Sequence, residues 1–131
     1  MFTIEQITAA HSKVKSGNDF PMYIHTIKNF GVLRFETKVI NSQTSYFGAD
    51  NFVIQSTPMY DDLPITTVVN KEQFSTQLKA HQQGKTDYFT FCNDCATTGI
   101  EKWIVDLTKM ICTYYDVNHN EVLVENIPTI N

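Results

Sequence analysis

Hydrophobic positions along this chain keep two different spacings, and glycines mark where one gives way to the other. From Tyr88 onward the stripe runs i, i+3, i+4 and i+7 through Phe91, Cys92 and Cys95, while Asn93, Asp94 and Thr97 point elsewhere. That spacing predicts a helix of about three turns, capped by Thr86, with Asp87 in the first turn where the helix dipole favours an anion, and closed at Gly99. After Gly99 the spacing becomes two. Trp103, Val105 and Leu107 alternate with Lys102, Ile104 and Asp106, and Thr108 and Lys109 turn the chain into Met110, Cys112 and Tyr114. A helix feeding an antiparallel hairpin follows.

The same order appears earlier. Thr3 and Gln6 have the spacing of a capping box, and Ile4, Ile7, His11 and Val14 then predict an amphipathic helix ending at Gly17. A second helix starts at Asp19, accepts Pro21 in its first turn, buries Tyr23, Ile24, Ile27 and Phe30, and stops at Gly31. Leu33, Phe35 and Val39 alternating with Arg34, Glu36 and Lys38 predict a strand with one face buried. Turns at 41–42 and 48–51 complete a three-stranded meander through 43–47 and 52–55. Residues 56–63, STPMYDDL, lack any period and read as a loop between the halves. Ile65, Val68 and Val69 suggest a short strand, and Asn70 with Gln73 opens a third helix that carries Phe74, Leu78 and His81 to Gly84. The asparagine-rich stretch 116–120 is a turn before a closing strand over 121–126, and the last residues are expected to fray.

Setting Gly31 against Gly99, an offset of 68 positions, matches Asp19 with Asp87, Val32 with Ile100, Phe35 with Trp103, Val39 with Leu107, Tyr46 with Tyr114 and Phe47 with Tyr115. Later in each half the offset becomes 70, matching 52–54 with 122–124 and Pro58 with Pro128. The shared order predicts one domain, 1–131, with an internal pseudo-repeat of 2–58 and 70–128. The expected fold is α+β: two tandem αα-βββ units whose antiparallel meanders are covered by helices.

Composition narrows the setting. With 131 residues, 42% of them apolar, the chain can bury roughly 65–70% of its unfolded surface without a staple. A formal charge of −4 with both signs interspersed argues against nucleic acid. No run reaches the length of a membrane span, and MFTIEQITAA has neither a basic n-region nor a cleavage site, so a cytoplasmic protein is expected. Three cysteines, an odd number, then read as reduced thiols.

Candidate chemistry is sparse. Cys92 and Cys95 form a C-x-x-C, the spacing of a redox pair, but they lie well inside a helix on its apolar stripe, where the N-terminal dipole cannot lower a thiol pKa. A zinc site would require a second pair, and the one other cysteine, Cys112, lies on a strand, with His81 and His119 as the remaining candidate ligands. Gly84, Lys85 and Thr86 resemble the tail of a phosphate-binding loop without its upstream glycine, and Asp61 with Asp62 supplies too few oxygens for a cation cage. His11 sits on an apolar stripe, as core-edge histidines do. No nucleophile with a base and an orienting acid stands out. Neither a cofactor nor a metal is expected. Tyr46, Phe47, Tyr60, Tyr114 and Tyr115 are candidates to line a surface where the repeats meet.

The stretches MFTIEQITAAHSKVKSGNDFPMYI, NKEQFSTQLKAHQQGKTDYFTFC and EKWIVDLTKMICTYYD resemble the small bacterial family typified by YbcV, whose members are labelled phage envelope protein-like and have no assigned function. The resemblance spans nearly the whole chain. It implies a prophage or accessory origin and brings no catalytic residues. The expected role is a protein-interaction module acting on a protein partner or as a homodimer, with no nucleic acid and no membrane involved. The alternative is a small thiol-dependent or small-molecule-binding enzyme using Cys92 and Cys95.

Overall fold

The computed structural model describes residues 1–15 and 19–129. Within them the chain runs α1 (Ile4–His11), α2 (Phe20–Asn29), β1 (Arg34–Lys38), β2 (Thr44–Phe47), β3 (Val53–Gln55), α3 (Lys71–Gln82), α4 (Tyr88–Thr97), β4 (Lys102–Asp106), β5 (Ile111–Tyr115) and β6 (Glu121–Asn126). The two αα-βββ units expected from the sequence are present. Gly17 as the stop of α1, and Ile130 and Asn131 of the 128–131 stretch expected to fray, fall outside the described residues.

Local chemistry explains the helix boundaries. At α1 the capping box closes in both directions: the Gln6 amide donates to Thr3 Oγ1 at 3.2 Å, and the Thr3 amide donates to Gln6 Oε1 at 2.8 Å. Asn70 Oδ1 accepts from the Gln73 amide at 3.1 Å to start α3. At α4 the cap is Asp87, one residue later than the spacing suggests, with Oδ1 accepting from the Thr90 amide at 2.8 Å. Thr86 is diverted because its carbonyl and hydroxyl oxygens both lie 3.1 Å from His81 Nδ1.

Two further expectations are corrected. Leu33 is exposed, because Gly31 at φ +106 sends Val32 into the core and Leu33 precedes the first ladder pair of β1. Residues 65–69 form no strand. The Thr66 and Asn70 amides instead donate at 3.0 Å to the Ala96 and Thr98 carbonyls at the end of α4, which satisfies the backbone there without a ladder.

The six strands make one antiparallel sheet in the order β3-β2-β1-β4-β5-β6, so the units join through their first strands. Glu36 pairs with Ile104, the position 68 residues later, and the remaining β1–β4 pairs fan out symmetrically from that point. Bonds beyond the ladder follow the same symmetry: the Val39 amide donates to Glu101 O at 2.8 Å, and the Leu107 amide to Leu33 O at 3.0 Å. A two-fold relation between the units therefore passes through the centre of the sheet.

Alternation gives the sheet two unlike faces. Arg34, Glu36 and Lys38 look outward, whereas Phe35, Thr37, Trp103, Val105, Cys112 and Tyr114 are buried on the inner face. Both helix pairs lie on that inner face: Phe91 and Tyr88 of α4 pack on Trp103, Phe74 of α3 packs edge-on to Tyr114, and the Tyr23 hydroxyl of α2 meets that of Tyr46. Ile24, Ile27, Phe74 and Ile100 are fully buried between helices and sheet.

Candidate functional site

Two helix pairs laid side by side on one sheet leave a seam, and on the second unit's side it opens into a cavity of about 650 Å³. Its floor is the inner face of β4 to β6, with Trp103, Val105, Cys112, Tyr114 and Glu125. One wall comes from α3, α4 and their connection, where Leu78, His81, Tyr88 and Phe91 reach in. The opposite wall is His11, Val14, Phe20 and Pro21 from the ends of α1 and α2. A smaller hollow of about 320 Å³ lies between α1 and α2, lined by Ala10, Met22, Tyr23 and Phe30 among others.

Aromatic rings cluster along one side of the cavity. Ring centroids of Phe91 and Trp103 are 5.6 Å apart, those of Trp103 and Tyr114 are 6.3 Å apart, and His81 stacks on Phe91 at 4.4 Å with 12° between the planes. His81 Nδ1 contacts the Thr86 carbonyl, which can only accept, so Nδ1 carries the proton and Nε2 is left as an acceptor. Desolvation holds the His81 pKa below its ordinary value of 6.5 and outweighs the pull of Asp87 and Asp94 in the other direction.

Glu125 is the polar group of the floor. It stands opposite Cys112 in the β5–β6 ladder, is half-buried, and accepts from Gln82 Nε2 at 2.9 Å through Oε1. Burial raises its pKa, against the smaller effect of the Gln82 hydrogen bond. Cys112 is buried and its thiol is pushed up to about 12, because desolvation exceeds the help of its hydrogen bond with Tyr114.

Cys92 and Cys95 lie elsewhere. Both are fully buried and neither lines the cavity. Desolvation raises both thiols, although the Tyr60 and Tyr88 hydroxyls act in the other direction on Cys92. Tyr88 continues this network to Ser42, with its hydroxyl 2.6 Å from Ser42 Oγ, and the Tyr60 hydroxyl donates to the Val39 carbonyl. Positions 68 residues earlier hold Ile24 and Ile27, equally buried.

The five aromatics expected to share a surface are divided by strand alternation. Tyr46 and Tyr114 face inward, whereas Phe47 and Tyr115 face outward beneath Arg34 and Lys102, at 3.9 and 5.4 Å from cation to ring centroid. Tyr60 reaches α4 instead, edge-on to Phe89. His119 stacks on Tyr115 on the outer face, away from Cys112 on the inner one. Among the described residues no three His, Cys, Asp or Glu side chains converge as metal ligands. No helix there is long and apolar enough to cross a membrane.

Sequence reasoning missed Glu125 and the rim residue Val14 as site components. Their signal is weak: each sits in an ordinary alternating or helical pattern, and only the β1–β4 junction brings them to one cleft.

Residues 8–126 match the family described as protein of unknown function (DUF1398), and the chain belongs to that family. It is also similar to uncharacterised proteins of Mycobacterium tuberculosis and Mycobacterium bovis, each 25% identical over 115 residues, spanning 86% of this chain and 69% of theirs.

Proposed function

We propose that this protein binds a small organic molecule in the cleft between its helix pairs. The observation that carries this reading is the cavity of about 650 Å³, a size usual for ligand sites, which combines aromatic rings with polar side chains such as His81 and Glu125. Trp103 is the single tryptophan of the chain and lines the cavity, so its emission reports on occupancy. A library of aromatic fragments should shift that emission saturably, and Val14→Phe at the rim should weaken the response without lowering the melting temperature. Unchanged emission throughout the library, or equal binding by Val14→Phe, would contradict this reading.

A second reading is a protein-interaction module that docks a partner or another copy on the outer sheet face. Its support is the exposure there of Val53 on β3 and Val124 on β6, 45% and 48%. A strictly monomeric species in sedimentation equilibrium, unchanged by Val124→Lys, would remove self-association. Thiol catalysis at Cys92 and Cys95 has less support, since burial disfavours the thiolate at both.

A further inference from the structure

We propose that the cleft selects organic cations, molecules carrying an ammonium group on an aromatic or apolar body, with Glu125 as the counter-ion. This rests on the reading of the cleft as a small-molecule site and adds the charge of the ligand.

Three observations converge. First, Glu125 is a half-buried carboxylate that no lysine or arginine among the described residues pairs with; Gln82 satisfies Oε1, and Oε2 has no protein donor among them. A desolvated carboxylate without a counter-charge is costly, and a bound cation would offset that cost. Second, Trp103, Tyr114, Phe91 and Tyr88 line the same space, and Tyr88 stands edge-on to Trp103 at 6.3 Å with 87° between the planes. Ring faces carry negative potential, and inclined rings are how aromatic cages hold ammonium groups. Third, among the polar side chains lining the space, half-buried His81 offers Nε2 as an acceptor to a donor on the ligand.

Of the charged side chains lining the cleft, Glu125 alone is half-buried; acidic Asp87 and basic Lys15 are both exposed on the rim, where water screens them. A carboxylate ligand would face Glu125 without a cation inside the cleft to receive it.

Calorimetry with three molecules of similar size isolates the charge: phenethylammonium, neutral 2-phenylethanol and anionic phenylacetate. The cation should bind about tenfold or more tightly than the alcohol, and phenylacetate the least. Glu125→Gln keeps the shape and the Gln82 contact; it should remove the preference for the cation and leave 2-phenylethanol unchanged. Equal affinity for cation and alcohol would overturn the inference while leaving the cleft as a binding site. Tighter binding of phenylacetate, or a cation preference that survives Glu125→Gln, would overturn it as well. Absence of heat from all three at millimolar concentration also overturns it, and the response of Trp103 to the wider fragment set then decides separately whether the cleft reading stands.

Discussion

The two units build one backbone plan with different interiors, and the difference locates the site. In the first, Tyr23 of α2 reaches Tyr46 of β2 and the hydroxyls bond to each other, closing helix onto sheet. In the second, Phe91 stands where Tyr23 would be and has no hydroxyl to give, so Tyr114 turns to Cys112 in its own strand. Between α4 and the sheet the contact is then ring packing, Gln82 of α3 hydrogen-bonds Glu125 of β6, and the cavity lies along that seam. The matched positions thus differ in one hydroxyl, and the larger of the two hollows lies on the side that lacks it.

The comparison breaks most sharply at the matched helix positions Ile27 and Cys95. Both are fully buried, but isoleucine fills far more volume, so Ile27→Ala should cost about 3–4 kcal/mol and Cys95→Ala about 1–2 kcal/mol in denaturant unfolding. Equal costs would mean that the units do not share a core plan. The helix-ending glycines come next. Both have positive φ, +106 at Gly31 and +91 at Gly99, but a Cβ at Gly99 would lie 2.9 Å from Val68 O and from Val69 Cα, whereas at Gly31 the nearest atom is 3.9 Å away. Gly31→Ala should therefore cost about 1–2 kcal/mol from backbone strain alone, and Gly99→Ala about 1 kcal/mol more because backbone must move.

A smaller effect comes from His81. Its folded pKa is lowered, so the folded state binds fewer protons than the unfolded one, and stability is lost as pH falls through 6.5 and below; above that both states are neutral. His81→Gln should lessen the fall in unfolding free energy between pH 7 and 5, leaving the same-direction effect of His11, lowered by burial, and the opposite one of Glu125, whose raised pKa favours the folded state on protonation. An unchanged slope in the variant would contradict the burial assigned to this ring. The smallest difference is on the outer face. Arg34 sits 3.9 Å over Phe47 and Lys102 5.4 Å over Tyr115, so Arg34→Ala should cost about 0.5–1 kcal/mol and Lys102→Ala less, by thermal melting.

Much of this plan is written in local pattern. Glycines at the helix ends, the Thr3–Gln6 box and the alternation around Trp103 each act within a few residues, and helix order, strand order and the two-unit arrangement follow from them. What eluded local pattern depends on partners distant in the chain. Thr86 is drawn from its capping role by His81, residues 65–69 find their bonds at the end of α4, and β6 carries a bulge at Val122 that moves Glu121 opposite Tyr115. The cleft depends on the β1–β4 junction, a contact between strands some 68 residues apart, which no local window contains. Its aromatic lining was visible as core; its openness and Glu125 were not.

The most direct test is heteronuclear NMR on the full chain during titration with phenethylammonium and neutral aromatic fragments. The account predicts saturable shifts in the Trp103 indole and in the methyl groups of Val14, Leu78 and Val105, with Val53 and Val124 on the outer face unmoved. Shifts concentrated on Val53 and Val124, with Trp103 silent, would contradict it and make the open sheet face the working surface of the molecule.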